Sequence, residues 1–198
     1  MSTDIFNKLS YDAFKAGITP RTRASRNWFK QRVIDLKGPD INRRHILNAD
    51  SVKKRNTAII GSMNMFYYDP KTKATLPYYD RFPCSIIVGP APGGFYGINL
   101  HYLPLYPRFL LLERLLDFAN NKAFTESTKI KVTYDLLKGS SKHRAFQPCF
   151  KHYLNNHVKS HFAMIPAKEW EIAAGLPTQQ FKGASASTVW SDSKKRIK

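Results

Sequence analysis

The chain is 198 residues long, 42% hydrophobic and 13% aromatic, a composition that supports one packed core and excludes a disordered chain. Its 32 Lys plus Arg outnumber 14 Asp plus Glu and leave a net charge of +18, which repels itself unless a polyanion is near, and nucleic acid is the commonest such partner. Two cysteines exclude a disulfide framework and fit a reducing compartment; the opening residues lack an apolar run of signal length, and Leu103 to Phe118 is broken by Pro104, Pro107, Arg108, Glu113 and Arg114, so neither export nor a membrane span is expected.

Residues 1–57 read as a basic helical N-terminal extension. Thr19-Pro20 is an N-cap followed by proline at the first helical position, and Lys37-Gly38-Pro39 supplies the stop. On a helix from Pro20 to Leu36, Trp28, Phe29, Val33 and Leu36 gather on one side, with Arg23, Arg26, Lys30 and Lys37 on another. The period then falls to two. Strands are expected from Ser62 to Tyr68, Phe82 to Val88 and Tyr96 to Tyr102, with a turn at Asp69 to Lys73 and a hairpin loop at Pro90 to Gly94, where glycine supplies a positive φ.

The fold class that follows is α+β. A core domain over 58–180 carries a small antiparallel sheet at about 58–104, able to close as an SH3-like barrel with a return strand at 161–165, and helices pack on it. Pro107 opens a helix to about Asn120 that is apolar at Phe109, Leu111, Leu112, Leu115, Leu116 and Phe118, so it is expected against the sheet. A strand or short helix at Lys129 to Leu137 follows, then a basic loop from Lys138 to Arg144, and then a helix from near Pro148. A short helix from Pro166 to Ala174 is stopped by Gly175 and Pro177. Residues 181–198 are polar, small and finally basic, and read as a tail that orders on assembly.

Phosphate contacts are expected from the basic clusters. These are Arg21, Arg23, Arg26, Lys30 and Arg32; Arg43 and Arg44; Lys53, Lys54 and Arg55; Lys142, His143 and Arg144 in the loop; and Lys194, Lys195 and Arg196 in the tail. Such contacts hold a duplex without reading its sequence. Tyr67-Tyr68 and Tyr78-Tyr79 lie beside charges and could stack on unpaired bases, but period-two strands need aromatic residues for their core, and the tyrosines are assigned there. Cys149, His152, His157 and His161 have the chemistry of a metal set, yet on a helix they fall on two sides, so neither metal nor cofactor is expected. Asp69, Asp80, Glu113, Asp117, Glu126 and Asp135 lack the paired spacing of a magnesium nuclease. With no Walker loop, nucleophile elbow or His-Glu-x-x-His, the chain is not read as an enzyme.

The central block is more specific. The runs Ile60-Gly61-Ser62-Met63-Asn64-Met65-Phe66-Tyr67-Tyr68-Asp69-Pro70-Lys71, Leu76-Pro77-Tyr78-Tyr79-Asp80-Arg81-Phe82-Pro83 and Gly94-Phe95-Tyr96-Gly97-Ile98-Asn99-Leu100-His101-Tyr102-Leu103-Pro104 resemble a tailed-bacteriophage family of DNA end protector proteins. The later Phe146-Gln147-Pro148-Cys149-Phe150-Lys151-His152-Tyr153-Leu154, Glu169-Trp170 and Leu176-Pro177-Thr178 are similar to its C-terminal half, so the likeness covers about 60–195. It implies a non-catalytic virion protein, assembled in the host cytoplasm, that sits on the end of packaged linear double-stranded DNA near the portal and neck. Within it, Gly94 and Gly97 would serve turns or bulges, Asp80 a cap and His101 a buried hydrogen bond. The alternative is a neck, tail or baseplate connector whose basic surface docks acidic virion subunits.

Overall fold

The computed structural model describes residues 4–20, 22–34, 36, 41–119, 139 and 144–197. Helix α1 (Ile5–Lys15) opens on Asp4, whose carboxylate accepts the Phe6 N–H at 3.0 Å, and it buries Phe6, Leu9 and Ala13 along one stripe. Helix α2 (Arg23–Ile34) starts after the Thr19-Pro20 signal because Thr22 and Ser25 exchange side chain to backbone hydrogen bonds at 3.0 Å, a capping box that fixes the first turn. Its Phe29 and Val33 are buried as expected. Arg26, one turn before Phe29 on the same stripe, is buried with them. Helix α3 (Arg43–Asn48) is capped by Asn42, whose side-chain oxygen accepts from the Arg44 and His45 N–H groups.

The strands are β1 (Lys53–Arg55), β2 (Met63–Met65), β3 (Tyr79–Asp80), β4 (Cys84–Ala91), β5 (Gly94–Asn99), β6 (Phe150–Leu154), β7 (Phe162–Ile165) and β8 (Phe181–Lys182). β3 and β8 pair with each other; the other six form one antiparallel sheet in the spatial order β1-β7-β2-β4-β5-β6. Alternation along the strands sorts their side chains onto two faces. Met63, Met65, Cys84, Ile86, Ile98, Ala163 and Ile165 join the helices in the main core, while Phe66, Ile87, Phe95, Tyr153 and Phe162 build an aromatic cluster with Tyr68. The β4–β5 hairpin turns through Gly93 at φ 68°, as the Pro90 to Gly94 loop required. Gly94 serves a close approach: the Tyr153 carbonyl lies where a Cβ would stand.

Several expectations change. The return strand at 161–165 is present as β7, but it lies between β1 and β2 in an open sheet, and no closed barrel is found among the described residues. Where a helix was expected from near Pro148, the chain makes a 3-10 turn, Arg144–Cys149, and then β6, because the edge of β5 offers a full ladder to residues 150–154. The helix opened near Pro107 is α4 (Leu105–Ala119); it lies against α2 and the fully buried α5 (Trp170–Gly175), and its Leu111 and Leu112 join the core that Met63, Met65 and Ile86 of the sheet build. Residues 181–198, expected as a tail, contribute β8 and α6 (Ala186–Ile197). This last helix buries Val189 and Ser193, and Trp190 Nε1 donates to the His101 carbonyl at 2.8 Å. The element expected at 129–137 lies outside the described residues. Among the described residues no helix is long and apolar enough to cross a membrane.

Candidate nucleic-acid interface

The expected phosphate-binding residues separate into those that face solvent and those taken up by the fold. Arg26 is 5% exposed; it lies 3.2 Å from Glu113 on α4 and 3.7 Å from Glu171 on α5, so it ties three helices together. Arg43 donates from Nε and Nη2 to the Thr178 and Gln179 carbonyls at 2.8 and 2.9 Å. Lys30 lies over the Tyr106 and Phe109 rings, and Arg32 over Trp28. Arg23, Arg44, the β1 triplet Lys53, Lys54 and Arg55, and Lys194, Lys195 and Arg196 on α6 are exposed. Arg21, Lys142, His143 and the side chain of Arg144 lie outside the described residues.

Arg44 alone of these enters a groove that sequence clustering did not reveal. A half-open cavity of about 700 Å³ is lined by Arg44, Lys73, Arg81 and Lys159, by Tyr67, Tyr68 and Tyr79, and by Asp69 and Gln180. Backbone hydrogen bonds assemble it from distant segments. Tyr68 N donates to the Arg81 carbonyl at 3.0 Å, Lys159 N to the Tyr67 carbonyl at 2.8 Å, Asp69 N to the His157 carbonyl at 3.0 Å, and Arg81 N to the Gln180 carbonyl at 2.9 Å. One strip, residues 67–69, is therefore clamped between 157–159 and 81, which is clipped in turn to 180. Lys73 donates to both Asp69 oxygens, at 2.9 and 3.1 Å, and these bonds, with the nearby charges of Lys159 and His157, hold the Asp69 carboxyl below its usual range. Arg44, Arg81 and Lys159 make no ion pair among the described residues, and Lys159 Nζ donates to the Asn156 carbonyl at 3.2 Å.

Asp80 organises the polar interior beside this groove. Its Oδ1 accepts from Phe82 N at 3.0 Å and Gln180 N at 2.9 Å, and its Oδ2 accepts from Asn99 Nδ2 at 3.1 Å and His101 Nδ1 at 2.6 Å. The cap expected of Asp80 and the buried hydrogen bond expected of His101 are both here. Burial alone would raise the Asp80 pKa; the bonds it accepts outweigh burial and keep it ionised. Burial lowers His101 despite the adjacent carboxylate, so the ring is neutral, donating from Nδ1 to Asp80 and accepting at Nε2 from the Thr178 hydroxyl, 2.9 Å away. The Asp80, His101 and Thr178 order is that of an acyl-transfer triad, but the three are 3%, 0% and 0% exposed. It braces the segments that carry Arg81 and Gln180.

The supposed metal set is dispersed. Cys149 is buried, and its thiol donates to the Phe146 carbonyl; His152, His157 and His161 each bond a different carbonyl, those of Pro92, Asp69 and Leu47. Helical angles do not apply to these residues, since His152 is in a strand, Cys149 and His157 end 3-10 turns, and His161 lies in no helix.

The family model described as phage T4 terminal DNA protecting protein matches residues 6–193. The chain belongs to that family. Its match begins inside α1, so the helical N-terminal part belongs to the family together with the sheet, which widens the likeness first seen over 60–195. Comparison with curated proteins and with solved structures gave no match. Membership of the terminal DNA protecting family marks the chain as a phage protein concerned with the ends of DNA, and in the groove cations without an ion pair among the described residues meet aromatic walls.

Proposed function

We propose that this chain is a non-catalytic virion protein that binds the end of packaged linear double-stranded DNA at the head or neck and shields it from exonuclease. The convergence of Arg44, Arg81 and Lys159 beside Tyr67 and Tyr79 supports this reading. Guanidinium and ammonium groups attract phosphate oxygens, and a rigid clamp positions them without bases being read, so little sequence preference follows. The exposed cations on β1 and α6 add long-range attraction. A connector role favours another surface: α1 exposes Tyr11 at 56% and Phe14 at 77%, suited to a portal, neck, tail or baseplate partner.

Exonuclease digestion of linear duplex DNA, with circular duplex as competitor and a salt series alongside, tests the proposal. Survival of linear ends with poor competition by circles is the expected result. Equal competition by circles reduces the chain to a general duplex binder. Absence of binding to either DNA at physiological salt transfers the basic surface to a protein partner.

A further inference from the structure

Phosphate contacts alone do not tell the end of a duplex from its interior, because the backbone charge repeats along its whole length. The structure offers a second feature that does. A cavity of about 370 Å³ adjoins the cationic groove, and Tyr68 and Tyr79 line both. Its other walls include Leu76, Tyr78, Tyr102, Lys151, Tyr153 and Leu154. Tyr78 and Tyr102 lean together with ring centroids 6.1 Å apart. Lys151, on β6, holds its Nζ 3.7 Å from the Tyr102 ring centroid and makes no hydrogen bond or ion pair among the described residues. Burial pushes its amine down to about 8.

We propose that this cavity receives the base of an unpaired nucleotide at the DNA terminus while the adjoining phosphates lie along Arg44, Arg81 and Lys159. The inference rests on the end-binding reading above and names its substrate class: ends that carry an unpaired nucleotide. A base has flat apolar faces that suit tyrosine and leucine walls, and an edge of carbonyl and ring-nitrogen acceptors that suits the undonated protons of Lys151. A phosphate lodged here would find the ammonium groups of Lys71 and Lys151 set against the Asp80 carboxylate, and would gain nothing from the rings. The sequence of environments, cationic then aromatic, also matches the order of groups in a single nucleotide. Entry is cheap for a terminal unpaired base and costly for an internal one, which must first be unstacked and unpaired. End preference follows.

The test measures binding of the full chain to duplexes identical except at one end: blunt, one unpaired nucleotide, or one unpaired abasic nucleotide. The base-bearing end is expected to bind about tenfold or more tighter than the abasic end, which has the same phosphates. Leu76→Trp, which fills the cavity from its part-exposed wall, is expected to erase that difference while blunt-end affinity stays as it was. Equal affinity of base-bearing and abasic ends for the unsubstituted chain overturns the inference and needs no variant to fold. Competition by circular duplex in the same titration reports separately on end binding, so loss of that reading is distinguishable from loss of the base cavity.

Discussion

Arg108 and Arg81 carry the same guanidinium into opposite settings. Arg108 is 2% exposed and donates to the carbonyls of Leu103, Ala174 and His101, at 2.7, 3.1 and 3.4 Å, joining α4 to the end of α5 and to the 3-10 turn after β5. Arg81 is exposed, with no ion pair or side-chain hydrogen bond among the described residues, and lines the groove. Arg26 and Arg43 side with Arg108, Arg44 and Lys159 with Arg81. A net charge of +18 therefore does not measure a DNA-binding surface, because part of it joins helices and loops from within.

The sharpest way to break this division is to remove Arg108. Arg108→Met leaves the buried Leu103 and Ala174 carbonyls without their donor, while Trp190 still serves that of His101, and is expected to lower unfolding stability by about 3–5 kcal/mol, read from the denaturant midpoint, with DNA affinity of the folded fraction retained. Asp80→Asn sets an amide donor against the donors of Asn99 and His101 and should cost about 2–3 kcal/mol. The unsubstituted chain loses the Asp80 contribution as pH falls below the carboxylate's ordinary 3.8, since its folded pKa is depressed, and the variant's acid limb should flatten accordingly. On the groove side, Arg81→Glu combined with Lys159→Glu is expected to weaken DNA binding by about tenfold or more with stability within about 0.5 kcal/mol. Neutral Ala variants at the same positions should each reduce the log–log salt slope by about 0.9.

The smallest effect sharpens the buried side. Glu169 is 2% exposed with Oε2 unpartnered, and burial pushes its carboxyl up to about 7, against 4.5 ordinarily. Its folded pKa is raised, so its contribution is complete below pH 4.5 and disappears as pH rises through 7. Glu169→Gln should be nearly neutral at pH 4.5 and more stable than the parent by about 1–2 kcal/mol at pH 8, measured by thermal unfolding.

Local signals carried much of the fold. The α2 stripe, the β4–β5 hairpin, β7 and the helix placed from Pro107, which begins two residues earlier at Leu105, were all readable, because capping, turn chemistry and period act within a few residues. β6 was not: Phe150, Tyr153, Leu154 and Val158 recur at helical spacing, and only the waiting edge of β5 makes a strand of them. Burial of Arg26 was visible in principle, since it stands three residues before Phe29 and seven before Val33; its partners Glu113 and Glu171 were too distant in the chain to suggest themselves. The groove was hidden for the opposite reason to a cluster. Lys73, Arg81 and Lys159 stand apart along the chain, and hydrogen bonds between backbones, which no residue type announces, bring them to Arg44.

The clip between Arg81 and Gln180, with β3 and β8 paired just beyond it, has a bearing on how the protein is made. Residues 178–182 follow most of the Lys and Arg in the chain, yet Thr178, Gln180 and β8 complete the bracing around Asp80 and the last wall of the groove. A nascent chain or a prematurely terminated one is basic without owning the clamp. Gln180 is thereby the last part of the groove wall to be made, and a nascent chain owns the charge before it owns the shape.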